Sequence, residues 1–318
     1  MPTKRAVDGG DSAAFSGIFL ASGFFCSQAL SQPAPPPLTR AVGRRSAVLC
    51  NLAESIRRPA MDRAHIQNRA KAILAKVDSP QAFTVELQSL LRTLVDREAT
   101  KNYQRIIPNT GRFYGVPKPI LWIIAAEIGK FIHKEPERAS RLLKEVWTEG
   151  SFEAKQIAGK SLEKFGPKHP RVCLDFISLA LPDLDNWSVC DCLAMYGVEP
   201  VVYAHPELVL PLSEKWIQST DKWVRRFGVV TLRGYKKIQA TEKVFELLNK
   251  VMGDKENDVR EAVSWILREI TKANPNMVAV FLMKQAQVCR NKNTRRIIED
   301  GMKKLGANDQ RRILGLLE

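Results

Sequence analysis

The chain has 318 residues, a formal net charge of +15 at pH 7 and 45% hydrophobic residues. This hydrophobic content excludes a compositionally disordered chain, and the length fits two average domains or one elongated one. The excess of Lys and Arg favours a polyanionic partner, with nucleic acid the first candidate, but charge alone does not distinguish such a protein from a merely basic one.

Residues 1–60 differ from the rest and are predicted to be a disordered, targeting or non-native leader. Their apolar run, AAFSGIFLASGFFCSQALS, is too short and too rich in Gly and Ser for a membrane span. A signal peptide, which Asp8 and Asp11 argue against, an organellar presequence and a natural start at Met61 stay open. Residues 61–318 alone carry 42 basic and 31 acidic residues, a net +11, so the basic character belongs to the predicted folded domain.

From Met61 onward the pattern is helical. MDRAHIQNRAKAILAKV opens an amphipathic helix, no convincing alternating strand pattern follows, and Gly and Pro fall between the apolar segments. Five segments then repeat at a period of 35 residues, beginning at residues 152, 187, 222, 257 and 292, with a second apolar helix between them. The sequence therefore predicts an all-α fold, an α-solenoid of HEAT-like two-helix repeats in a single domain, 61–318.

The repeat predicts which residues share a face. With the first residue of each unit as position zero, positions zero, four and eight fall at about 0°, 40° and 80° around the helix, whereas the apolar positions five and six face the stack. Position zero is occupied by Trp187, position four by Asp191 and Arg226 in successive units, and position eight by Trp265. These four residues are therefore predicted to lie on one wall of the solenoid. Asp191–Arg226 as an ion pair between repeats and the tryptophans as ordinary packing residues form the alternative.

The cysteines and histidines show no metal-ligand spacing. None of the six cysteines forms a Cys-x-x-Cys pair, and the four histidines lie far from them in sequence. We expect free thiols, a reducing compartment, no metal site and no cofactor.

At these residues the chain resembles the DNA alkylation repair glycosylases of the AlkD type, from about residue 100 to 300. The family's Trp followed four residues later by Asp is similar to Trp187 and Asp191 in NWSVCDCLA. Its Trp-x-x-Arg is similar to Trp223 and Arg226, and its Trp-x-x-Arg-Glu to the motif that starts at Trp265 and continues with Arg268 and Glu269.

The resemblance implies hydrolysis of the N-glycosidic bond of cationic N3- and N7-alkylated purines in duplex DNA. Asp191 would stabilise the oxocarbenium character of the deoxyribose and orient the attacking water. Trp187 and Trp265 would contact the lesion nucleotide through their ring faces. Arg226, with help from Arg268, would bind the backbone phosphate near the lesion. Arg225 lies beside this stripe and is also expected to reach a phosphate.

The segment RFYGVPKPILW, residues 112–122, is similar to a Gly-Val-x-x-Pro element of the family. Gly115 is expected to end one helix and Pro119 to start the next. The family often has a basic residue where this chain has Trp122, so the chain departs from the family's pattern at this position. Lys118 and Tyr114 are the candidates for DNA contact here, with solvated surface and core packing as their respective alternatives.

Three functions compete. The first is the DNA glycosylase, acting as a monomer on double-stranded DNA without a membrane partner. The second is a non-catalytic repeat protein that binds distorted or branched DNA, and the third is a protein-binding scaffold, which would not need a carboxylate and two indoles on one wall. We expect a cytoplasmic, nucleoid-associated location, or an organellar one if residues 1–60 are a presequence.

Overall fold

A computed structural model describes residues 62–107, 111–237 and 241–318. Within these ranges every regular element is helical and no strand is present, which confirms the predicted all-α class. The first part of the chain contains α1 (Arg63–Leu74), α2 (Pro80–Thr93), α3 (Arg97–Ile106), α4 (Lys118–Lys134) and α5 (Ala139–Thr148). The predicted leader, residues 1–60, lies outside the described residues, and the amphipathic helix predicted after Met61 is present as α1.

The repeats follow as pairs of helices. The first helices of the pairs are α5, α7 (Pro170–Ala180), α10 (Pro206–Ile217), α12 (Thr241–Asn249) and α14 (Pro275–Gln287), and α16 (Ala307–Gly315) follows the last pair. The second helices are α6 (Phe152–Ser161), α8 (Trp187–Cys192), α11 (Lys222–Thr231), α13 (Asn257–Thr271) and α15 (Lys292–Gly301). A π-helix (Leu193–Val198) and α9 (Glu199–Ala204) continue α8 without a break.

Short capping signals fix where these helices begin. Four of the second helices are preceded by a residue whose side chain accepts hydrogen bonds from the first-turn backbone N–H groups: Ser151, Asn186, Asp221 and Asn291. Three of the first helices have a proline in their first turn instead, where a missing N–H costs nothing: Pro170, Pro206 and Pro275. All five second helices therefore begin 35 residues apart, as the period predicts.

The second helices stack in chain order. Helix α4 packs on α6, α6 on α8 and the π-helix, α8 on α11, α11 on α13, and α13 on α15. The first helices cover one side of this row, with α10 against α11 and α14 against α13 and α16. Positions five and six of the repeat are buried in every unit, as predicted: Ile157, Ala158, Cys192, Leu193, Phe227, Gly228, Ala262, Val263, Ile297 and Ile298.

The connection into α4 differs from its prediction at one residue. Pro119 lies in the first turn of α4, as expected, but Gly115 does not end a helix, because α3 already stops at Ile106. Gly115 has φ +92°, and a Cβ there would lie 1.9 Å from Oγ1 of Thr100. The glycine is therefore required by a positive φ and by a close approach to α3.

Candidate functional site

The centre of the candidate site is the ion pair between Asp191 and Arg226. Nε of Arg226 donates to Oδ1 of Asp191 at 2.9 Å, and Nη2 donates to Oδ2 at 2.8 Å. The side chains are 13% exposed for Asp191 and 6% for Arg226, so solvent reaches the carboxylate more than the guanidinium. Two parallel hydrogen bonds fix the carboxylate plane as well as its distance.

Arg226 also joins three helices. Its Nη1 donates to the main-chain carbonyl of Asp258 at 2.6 Å, so the residue connects α8, α11 and α13. Burial alone would lower the pKa of Arg226, but the charge of Asp191 and its hydrogen bonds outweigh burial and raise it. A permanent cation therefore faces the carboxylate. The family resemblance implies a phosphate contact for Arg226, but its guanidinium is buried and already bound to protein oxygens.

The two tryptophans lie on the helices that Arg226 connects. Trp187 opens α8 one turn before Asp191, and Trp265 lies in α13, two turns after Asp258. Both indoles are half-buried and pack against the core. Trp223 of α11 is half-buried too, and its carbonyl accepts a weak hydrogen bond from Sγ of Cys190 at 3.6 Å.

Lys118, at the start of α4, interacts electrostatically with Asp191. Its Nζ donates to Oγ of Ser188 at 3.4 Å, and Nε2 of Gln156 donates to the same hydroxyl oxygen at 3.1 Å. Burial lowers the pKa of Lys118, while the negative charge of Asp191 partly offsets this effect. The N-terminal end of α4 therefore brings a partly desolvated ammonium group close to the carboxylate.

Tyr114 is held by a hydrogen-bond network of protein groups. Its hydroxyl accepts from Nη2 of Arg112 at 2.6 Å and donates to Oε1 of Glu149 at 2.9 Å. Its backbone N–H donates to Oε2 of Glu153 at 3.0 Å, and the N–H groups of Gly115 and Val116 donate to Oε1 of the same carboxylate at 2.7 and 3.2 Å. This network orders the loop before α4 and leaves Tyr114 half-buried.

The other two predicted phosphate ligands form ion pairs with later parts of the stack. Arg225 binds Asp254 through Nε at 2.7 Å and Nη2 at 3.2 Å, and its Nη1 donates to two loop carbonyls. Arg268 binds the side chain of Asp300 and donates to its carbonyl at 3.2 Å. Each arginine holds neighbouring helices together, and contact with a phosphate would have to compete with these bonds.

Sequence reasoning overlooked Tyr196 and Lys160. Tyr196 lies in the π-helix, half-buried, and Nζ of Lys160 stands 3.8 Å from the centre of its ring. The signal was Pro200: it has no N–H to donate to the carbonyl of Tyr196 four residues earlier, and its ring would clash with that carbonyl in an α-helix. The chain widens to i→i+5 bonding just before the proline, a local feature frequent at functional sites.

The cysteines of the described ranges are free thiols, as predicted. Cys173, Cys190 and Cys192 are buried, and burial raises the pKa of Cys173 and of Cys192 to about 12, so both are inert thiols. Within residues 62–107, 111–237 and 241–318, no cluster of three or more His, Cys, Asp or Glu side chains is suited to hold a metal ion. Cys26 and Cys50 lie outside these ranges.

These features define an all-α helical-repeat protein with a carboxylate, fixed by a guanidinium, on a helix that begins with an indole. The family model described as DNA alkylation repair enzyme matches residues 87–305, which is more than half of the chain and includes the whole candidate site. The chain belongs to this family. None of the helices in the described ranges is long and apolar enough to cross a membrane.

The chain is similar to several solved structures. A predicted DNA alkylation repair enzyme from Enterococcus faecalis is similar with 17% identity and a TM-score of 0.57, over 67% of this chain and 97% of that one. AlkD2 from Streptococcus mutans has 15% identity and a TM-score of 0.49, over 75% and 100% of the two chains. The alkylpurine DNA glycosylase AlkC of Pseudomonas fluorescens, bound to DNA containing an abasic site analog, has 14% identity and a TM-score of 0.47, over 80% and 66%. No curated protein matches the chain.

Proposed function

We propose that the protein is a DNA glycosylase that hydrolyses the N-glycosidic bond of cationic N3- or N7-alkylated purines in duplex DNA. The observation that carries this proposal is the carboxylate of Asp191, held by two hydrogen bonds from Arg226, partly open to solvent and one turn after Trp187. Membership of the DNA alkylation repair enzyme family supports it.

The proposed chemistry needs little from the protein. An alkylated N3 or N7 leaves the purine cationic, so the base departs without a general acid, and positive charge develops on the deoxyribose. A fixed carboxylate stabilises that charge and orients the attacking water without reorganising. Because Arg226 already holds the carboxylate plane, we assign it a positioning role in place of the phosphate contact.

The indoles are proposed to hold the lesion nucleotide. Trp187 and Trp265 would offer their faces to the sugar and to the cationic base, which an aromatic quadrupole attracts. The net charge of +15 supports duplex DNA as the partner. We propose that the protein acts as a monomer. We also propose that it is associated with the nucleoid, or with organellar DNA if residues 1–60 are a presequence.

The test compares the release of 7-methylguanine from methylated duplex DNA by the full-length wild type and by Asp191→Asn. We expect release to fall at least about tenfold in the variant, roughly 1.4 kcal/mol of barrier, because the amide carries no charge to stabilise the sugar cation. Binding to a duplex with an abasic site analogue, measured by fluorescence anisotropy, should survive.

Asp254→Asn is the matched control. Asp254 also accepts two hydrogen bonds from an arginine of another helix, and both side chains of that pair are mostly buried, but Asp254 pairs with Arg225 outside the proposed site. The control should lose stability without losing catalysis at equal folded concentration. An unchanged release rate in Asp191→Asn would remove Asp191 from the mechanism, and DNA binding without release by the wild type would favour the non-catalytic DNA-binding protein.

A further inference from the structure

Two lysines and two aromatic rings form a cluster beside Asp191. Nζ of Lys118 lies 6.0 Å and Nζ of Lys160 lies 5.7 Å from the centre of the Trp122 ring. Trp122 and Tyr196 pack edge to face, with ring centres 5.5 Å apart and planes at 72°. Lys118 and Asp191 interact electrostatically, which joins the cluster to the proposed site.

The π-helix brings Tyr196 into this cluster. Tyr196 is position nine of its repeat, which in a continuous α-helix would lie about 100° away from position eight. Each residue of an i→i+5 helix turns the chain by a smaller angle, so Tyr196 moves toward the place of position eight. Lys160 is position eight of the preceding repeat, and its ammonium group stands over the Tyr196 ring.

We propose that Lys118 and Lys160 bind neighbouring phosphates of the DNA backbone, and that Trp122 and Tyr196 hold the two ammonium groups in position. The inference rests on the proposed function, since it needs DNA on this wall. Both ammonium nitrogens lie near the Trp122 ring, so the distance between them cannot exceed the sum of their two distances to the ring centre. That separation suits phosphates close together on one strand.

The charges of the region favour these two lysines over the nearby arginines. Arg226 and Arg268 each bind an acidic side chain of another helix, and Arg225 binds Asp254 in the connection before α13. Lys118, in contrast, donates to the neutral hydroxyl of Ser188, and it forms no ion pair with any residue that the structure describes. A partly desolvated ammonium group whose hydrogen bond goes to a neutral hydroxyl is suited to receive a phosphate oxygen.

Lys160 has an anionic partner that a phosphate can replace. Its Nζ contacts Glu163 at 2.8 Å, one turn later on the surface, and the Glu163 side chain is exposed. Such surface pairs contribute little free energy. The contact with Tyr196 restricts the lysine rotamers before DNA arrives, which reduces the entropy lost on binding.

The experiment measures the affinity of the full-length protein for an undamaged duplex as a function of salt concentration. Lys160→Met and Lys118→Met should each reduce the slope of log K against log salt by about 0.9, the value for one phosphate contact. Lys160→Arg should retain the slope. Arg138→Met is the matched control: its guanidinium lies 5.3 Å from the centre of Phe131, another cation–aromatic pair at the opposite end of α4, and the slope should not change.

The aromatic residues should affect affinity without affecting the slope. Tyr196→Leu is expected to weaken binding about threefold at every salt concentration, because the charge stays but its support is lost, and Tyr196→Phe should restore affinity. Circular dichroism shows whether each variant is folded. If Lys118→Met does not fold, the salt slope of Lys160→Met tests the inference by itself.

Unchanged slopes in folded Lys160→Met and Lys118→Met would overturn the inference, even if the wild type releases alkylated bases. Reduced slopes in a protein that releases no base would instead support the phosphate contacts and refute only the proposed catalysis. If the wild type does not bind duplex DNA, both proposals fail.

Discussion

Arg226 binds three protein oxygens, two from Asp191 and one from the carbonyl of Asp258. The guanidinium of Arg226 is buried, so a phosphate could reach its N–H donors only by displacing a neighbouring protein group. We therefore infer that its contribution is geometric: it sets the orientation of the carboxylate. The assignment differs in its consequences from a direct phosphate contact.

We expect Arg226→Gln to lower the free energy of unfolding by about 3 kcal/mol, because it leaves a mostly buried carboxylate without its cation. Base release should fall, since the carboxylate is no longer fixed. The salt slope of DNA binding should stay unchanged, because no phosphate contact is lost. Urea denaturation, the release assay and salt-dependent anisotropy measure the three quantities.

A double-mutant cycle serves as the control. Asp191→Asn with Arg226→Gln removes both charges, so the loss of stability should be smaller than the sum of the two single losses. Additive losses would show that the pair is not coupled. A slope reduced by about 0.9 in Arg226→Gln would instead restore the phosphate contact that the family resemblance implies.

At this scale the sequence predicted which residues lie on adjacent helices better than it predicted their individual partners. Asp191 and Arg226 are 35 residues apart, so the period placed them on adjacent helices, and the structure joins them, as the ion-pair alternative anticipated. Arg225 and Asp254 are 29 residues apart, a separation that corresponds to no repeat position. Which acid an arginine binds depends on side-chain rotamers and loop geometry, which no periodicity encodes.

Among the elements, the second helices were predictable and the π-helix was not. Capping residues and buried apolar positions recur every 35 residues, so local and long-range preferences agree on where these helices begin. In the unit that begins at Trp187, Pro200 makes the local preference differ from the helical pattern of the repeat. A proline within a helical pattern predicts a kink or an end at the preceding residues. Here the stacked neighbours hold the helix together and the backbone responds by widening instead.

The packing between α10 and α11 depends on Gly228. A Cβ added at Gly228 would lie 2.8 Å from the backbone nitrogen of Ile217 and 2.9 Å from Cβ of Trp216. Because backbone and Cβ atoms cannot move independently of their helix, Gly228→Ala should lower the free energy of unfolding by about 1–3 kcal/mol. Urea denaturation measures the change.

Gly315→Ala is the comparison for this substitution. Gly315 ends α16, and nothing lies within 4 Å of an added Cβ, so alanine should be neutral or stabilise by up to about 1 kcal/mol. Equal effects at Gly228 and Gly315 would contradict the close approach of α10 and α11.

Across the whole molecule, ion pairs join consecutive repeats. They connect residues roughly one period apart from α8 to α15: Asp191–Arg226, Glu199–Arg233, Lys222–Asp258, Lys236–Glu269 and Arg268–Asp300. A repeat protein is stabilised by the interfaces between neighbouring units. Part of the basic charge that suggested nucleic acid is therefore paired inside the stack, so the net charge does not indicate which basic residues are free to contact a partner.

The last of these pairs, Arg268–Asp300, predicts a loss of stability in acid. Burial alone would raise the pKa of Asp300, but the hydrogen bond from Lys303 and the charge of Arg268 outweigh burial and lower it. A carboxyl group with a lower pKa in the folded state stabilises the fold above its unfolded pKa, about 3.9 for aspartate. That stabilisation is lost as the pH falls through the folded-state pKa.

Asp300→Asn should therefore be less stable than the wild type at pH 6, and the difference should shrink as the pH falls from about 4 through the lower folded-state pKa, where the wild-type carboxyl group also becomes neutral. Urea denaturation of both proteins between pH 6 and pH 3 measures this difference. A difference that stays constant would show that Asp300 acts through packing alone. A difference that shrinks would show that charge holds the last repeats together, so that salt and acid weaken the same interface.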